Sequence, residues 1–211
     1  MVRPYDTYKE NLIVDVEELI NDHVNKRTGS RGKQNLGYLT RSAWIMLCGA
    51  YEHFLELLAE DVLNNVLERI SADKLHRGTK KALVEFIESR KDESFCLRLS
   101  GDGWKDVLRD LFNLKRDAFH TPSIKNTIEL FSIVGIDISG AFDDAQIHER
   151  LNDFIKTRGE IAHKGRKARY PHIKEIEDYK DFFDSLVVQI HNHVVDKYKQ
   201  TYACSMRRDH I

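Results

Sequence analysis

Between Leu39 and Ile70, large apolar residues recur at three- and four-residue steps: Trp44, Leu47, Tyr51, Phe54, Leu55, Leu58 and Val62. That is the period of a helix face turned towards a core. Few residues oppose such a pattern, for the 211 residues include only three prolines and eleven glycines. Long helices therefore meet little backbone resistance. The same period covers most of the chain, and strand-like alternation is nearly absent. It predicts further helices from Tyr5 to about Lys26 and over 79–91, 104–116 and 123–134. In the last of these, Ser123 is the expected N-cap and Gly135 the stop. Another helix begins near Asp143, with Ile147, Leu151, Phe154 and Ile155 on its core face. The final one runs from about Ile173 to Lys199, carrying Ile176, Phe183, Leu186, Val187, Ile190 and Val194. The expected fold is all-α: one helical-bundle domain over 1–211, with the middle helices as an insertion or side layer. Two segments fall outside the pattern, a flexible basic loop over 26–37 and a tail over 200–211.

Composition narrows the function classes. Hydrophobic residues at 41% and charged residues at 32% suit a folded helical domain and argue against general disorder. The formal charge of −1 does not mark a nucleic-acid binder, so any such signal must be local. Cys48, Cys96 and Cys204 are odd in number and far apart, which fits neither a disulfide framework nor a zinc site. No apolar run reaches transmembrane length, and MVRPYDTYKE lacks the core of a signal peptide. The expectation is a soluble cytoplasmic protein.

The local signal lies at the end of the helix that starts near Asp143. Positions 151, 154/155, 158 and 161/162 share a face, so Arg158 stands in line with Leu151, Phe154, Ile161 and Ala162. A guanidinium there keeps its charge and needs an anionic partner or a polar cavity. His163 follows five residues later, about 140° around an ideal helix. The two can line one cleft if the helix ends at Lys164-Gly165, or face a second copy across a two-fold axis. From Lys156 to Arg169 the basic residues are Lys156, Arg158, Lys164, Arg166, Lys167 and Arg169, against the single acid Glu160. A phosphate backbone can use such a cluster; a solvated helix end followed by a basic loop has the same composition. Glu52, at the rim of the long helix's apolar face, either orients Arg158 or forms a salt bridge that only joins helices.

The segment LNDFIKTRGEIAHKG resembles the Arg-x4–6-His signature of the HEPN superfamily. Together with AWIMLCGAYEHFLELLAEDV and SIKNTIELFSIVGID before it, it looks like the RiboL-PSP-HEPN branch, over roughly residues 40–195. The resemblance implies a metal-independent endoribonuclease that needs no cofactor and whose site forms at a homodimer interface. Arg158 and His163 take the catalytic positions, Glu52 the supporting one, and Lys156, Lys164, Arg166, Lys167 and Arg169 would bind RNA. It also implies a toxin or defence effector, with a cognate antitoxin or regulatory partner. One departure is Gly159, where the family often has Asn, Asp or His after the arginine. The alternatives are a non-catalytic HEPN module that binds RNA, nucleotide or protein, and a purely structural helical scaffold.

Other motifs carry less. His191-Asn192-His193 spells an HNH pattern, but two residues on a helix separate the rings by about 200°, and surface histidines are the expectation. Arg116 and His120 form a shorter Arg–His pair without matching context. Cys96 has no adjacent histidine and is read as buried or incidental, and the Trp44 and Tyr51 stripe is expected in the core.

Overall fold

A computed structural model describes residues 3–27, 36–90, 98–207 and 211. Most of the loop expected over 26–37, Cys96, and residues 208–210 of the tail lie outside the described residues. Every regular element among the described residues is helical. They are α1 (Pro4–Thr7), a π turn (Tyr8–Leu12), α2 (Val14–Arg27), α3 (Gly37–Arg69), α4 (Arg77–Arg90), α5 (Trp104–Asp117), α6 (Ile124–Ile133), α7 (Ala145–Lys164) and α8 (Ile173–Tyr202). Short 3-10 turns join several of them. The all-α expectation holds, with boundaries within a few residues of the periodicity. No helix among the described residues is long and apolar enough to cross a membrane.

The first helix departs from expectation. It is interrupted by the π turn, in which the Ile13 amide reaches back five residues to the Tyr8 carbonyl at 3.0 Å. The reason lies in the spacing of the buried residues Tyr8, Ile13 and Val16. A five-residue step from Tyr8 to Ile13 would swing one of them off an α-helical core face. One extra residue in the turn keeps both inward.

The caps of α6 fall where the sequence placed them. Ser123 accepts from the Asn126 amide at 3.2 Å and opens α6. That helix closes on Gly135, at φ 76°, with the Ile136 amide bonded to the Phe131 carbonyl and the Gly135 amide to that of Ser132. This pair of bonds is a Schellman stop, which favours glycine in the left-handed region. Asp144 caps α7 through the Gln146 amide at 2.8 Å.

The chain forms two compact units. One comprises Met1–Leu55 and Asp144–Gln189, the other Glu56–Asp143 and Ile190–Ile211. In the first unit, an aromatic cluster joins α3, α7 and α8. The Trp44 ring stacks on Phe154 at 4.8 Å, with Tyr179 edge-on to Trp44 at 4.9 Å. Phe183 packs on both Tyr51 and Phe154 at 4.7 Å. Such pairs add about 0.5–1.5 kcal/mol each beyond burial. The Trp44 and Tyr51 stripe is fully buried core, as expected.

The second unit packs α4, α5 and α6 together and includes the later parts of α3 and α8. Here the histidine reading needs correcting, because His191 is buried and His193 half-buried. The apolar arc of α8 is wider than its stripe suggests, and position 191 falls between the buried Ile190 and Val194.

Candidate active site

Cys48 of α3 lies within the influence of Arg158 on α7, and Glu52 follows it by one turn. The register between the helices follows from Trp44, which meets Phe154 both by stacking and by donating from Nε1 to its carbonyl at 3.1 Å. One turn further along each helix, Cys48 meets Arg158.

Arg158 is half-buried, as a guanidinium in line with Leu151 and Phe154 should be. Its companions on the buried face are Thr157 and Ile161, whereas Ala162, expected beside them, is exposed. The charges of Arg158 and Glu52 both act on the Cys48 thiol. Burial pushes the thiol up to about 12; Arg158 opposes this and Glu52 adds to it. At neutral pH the sulfur is thus protonated, and the guanidinium keeps its full positive charge. Arg158 and Glu52 thus share one neighbour, Cys48, which the sequence pattern did not mark as a site residue. Its signal was position: Cys48 precedes Glu52 by one turn on the face that meets α7.

His163 is placed elsewhere. It occupies the last turn of α7, exposed to solvent, and makes no hydrogen bond or ion pair among the described residues. The helix does end at Lys164, with Gly165 at φ 51°, but it stays helical through His163. The angle of about 140° between Arg158 and His163 is therefore retained. A single chain gives one half-buried cation held against α3 and one free imidazole further round the same helix.

The basic segment is also sorted. Lys156, Arg166 and Lys167 are exposed, with no ion pair among the described residues. Lys164 lies 3.8 Å from Glu160. Arg169 pairs with Glu175 and, at 4.0 Å, with Asp153. Glu175 in turn accepts from the His172 amide at 2.9 Å, at the start of α8. Arg169 is thus engaged in holding the α7–α8 connection. The same connection lays Tyr170 against Gly37, where a Cβ would clash with the edge of the ring. Arg116, of the second Arg–His pair, is engaged by Asp117 at 3.2 Å and Glu60 at 3.8 Å.

Gly159 lies inside α7, and a Cβ there would meet nothing within 4 Å. A mid-helix glycine with open space around it costs stability for no packing return. Gly159→Ala is expected to stabilise the protein by about 0.5–1 kcal/mol, read as a rise in Tm of a few degrees. A lower Tm would mean that the space is not open.

Residues 10–196 match the model of the RiboL-PSP-HEPN family, in which ribonucleases are common and functions are RNA-related. No curated protein and no solved structure gives a significant match. The family match covers most of the chain and includes Cys48, Glu52, Arg158 and His163, so the chain belongs to the RiboL-PSP-HEPN branch of the HEPN superfamily.

Proposed function

We propose that the protein is a metal-independent endoribonuclease that acts as a homodimer, with Arg158 and His163 as its catalytic pair. The observation that carries this reading is the setting of Arg158: a guanidinium half-buried on the core side of α7, near the Cys48 thiol of α3, and such a group does not lose its charge. A cation fixed in that way suits a phosphate that gains negative charge during reaction.

The chemistry balances without further groups. The ribose 2′-oxygen bonds to the adjacent phosphorus as an imidazole takes its proton. The bond from phosphorus to the 5′-oxygen then breaks, and that oxygen receives a proton. The products are a 2′,3′-cyclic phosphate and a 5′-hydroxyl. An imidazole has an ordinary pKa near ~6.5, so it can serve either proton transfer near neutrality. Arg158 binds the non-bridging oxygens throughout, and Glu52 helps hold its head group.

A second copy completes the arrangement. Because His163 lies about 140° around the helix from Arg158, a two-fold axis beside α7 sets each imidazole opposite the partner's guanidinium. The groove then contains two guanidinium–imidazole pairs, each a complete site. Lys156, Arg166 and Lys167 supply free charge along it for the RNA backbone, with lesser parts for Lys164 and Arg169. On this reading the protein works in the cytoplasm as a toxin or defence effector under the control of an antitoxin or similar partner.

One observation favours a different reading, a module that binds RNA without cutting it: nothing among the described residues fixes the His163 ring. Incubation of the purified protein with labelled total RNA in EDTA separates the two. Nuclease action yields discrete fragments, whereas the binding module yields salt-sensitive complexes and intact RNA at any enzyme concentration.

A further inference from the structure

We propose that Tyr170 and Arg41 form a nucleobase subsite, in which an unstacked base lies on the Tyr170 ring and an adjoining phosphate meets the Arg41 guanidinium. The inference rests on RNA being the substrate, as argued above, and adds the residues that hold the strand beside the scissile bond. Its basis is an aromatic side chain that the core does not use. Tyr170 is 42% exposed, whereas the next residue, Pro171, is buried. A proline keeps the residue before it extended. Burying Pro171 therefore anchors the α7–α8 connection and leaves Tyr170 and His172 outside, both of them exposed. Their rings meet at 5.8 Å and 76°, and Tyr170 has no other ring contact among the described residues.

Gly37, the first residue of α3, seats the ring. A Cβ built there would clash with the Cδ2–Cε2 edge of Tyr170 and lie 3.0 Å from Arg41 Nη1. One edge of the ring thus rests on bare backbone, with a guanidinium beside it. Arg41 is half-buried and makes no ion pair among the described residues. Arg166 and Lys167, just upstream of Tyr170, are exposed and likewise unpaired. Free cations suit phosphates, and an accessible ring suits the face of a base; a single strand offers both together. A duplex keeps its bases stacked on one another and can satisfy only the cations. From His163 to Tyr170 the chain spans at most about 25 Å, so a short strand held at the active site reaches the ring.

The test uses a single-stranded 2′-O-methyl oligoribonucleotide, which offers no attacking hydroxyl. Its affinity is measured by fluorescence anisotropy, beside thermal melting of each protein. Tyr170→Ala is expected to weaken binding about tenfold, and Tyr170→Phe to stay within about twofold. Arg41→Ala should lower the salt dependence of binding by about one phosphate. A scan with one abasic site at a time then finds the base. At one position its removal should cost the wild type about tenfold and leave Tyr170→Ala unchanged, a coupling that a purely structural tyrosine does not give. Wild-type affinity in Tyr170→Ala, or equal losses in both proteins at every abasic position, would overturn the proposal. A tyrosine that serves a protein partner instead would give one of those two results. If Tyr170→Ala melts well below the wild type, Tyr170→Leu keeps an apolar contact with Gly37, lacks the ring and provides the same contrast. Cleavage of the matching all-ribose strand separates the two readings. A protein that leaves it intact yet shows the coupling keeps the subsite and refutes the nuclease reading. One that cuts it without the coupling refutes the subsite alone.

Discussion

His163→Ala is expected to lower RNA cleavage by about 10²–10⁴-fold, the usual worth of a positioned acid or base. Arg158→Ala should lose about 10²–10³-fold, because a single electrostatic donor to the developing charge is removed. The two should differ in their effect on the fold. His163 is exposed on the last turn of α7, and its removal should leave stability within about 0.5 kcal/mol. Arg158 is half-buried near Cys48, so its removal should lower stability as well. Arg158→Lys separates these effects by keeping a charge and losing the planar fork. If the pair forms between copies, mixing the two alanine variants should restore activity to at most about a quarter, since half the random dimers regain one of two sites. Near wild-type cleavage by both single variants would remove the catalytic assignment.

Trp44→Ala should cause the largest loss of stability, about 3–5 kcal/mol, as expected for deleting a fully buried indole. It removes the stack on Phe154, the edge contact with Tyr179 and the hydrogen bond to the Phe154 carbonyl. These contacts also set the register of α3 against α7, so cleavage should fall further than stability alone explains. Denaturant unfolding beside activity at a temperature where the variant is folded measures both. A loss below about 1 kcal/mol would show that the cluster does not depend on Trp44.

The helices were legible in the sequence because each buries one face, and three- and four-residue steps record that directly. The stripe from Trp44 to Val62 and the caps at Ser123 and Gly135 are local chemistry, and they reappear where expected. The π turn after Tyr8 was not, since a five-residue step looks like noise unless both ends are known to be buried. His191 was misread because the width of a buried arc depends on what packs against it, which is tertiary information. The half-buried setting of Arg158 was also legible, as an arginine in line with Leu151 and Phe154. Its contact with Cys48 was not, for it depends on the register of two helices about 110 residues apart in the chain. The basic segment was half legible. Counting charges over 156–169 missed Asp153 and Glu175, which lie outside that window and engage Arg169.

The sharpest test uses a short RNA in EDTA, compared with the same strand carrying a single 2′-deoxy sugar at the cleavage position. Attack by the ribose hydroxyl predicts scission of the all-ribose strand to a 5′-hydroxyl product, an uncut 2′-deoxy strand, and no scission of either by His163→Ala. Equal cutting of both strands, or equal cutting by the wild type and His163→Ala, would contradict a guanidinium–imidazole ribonuclease.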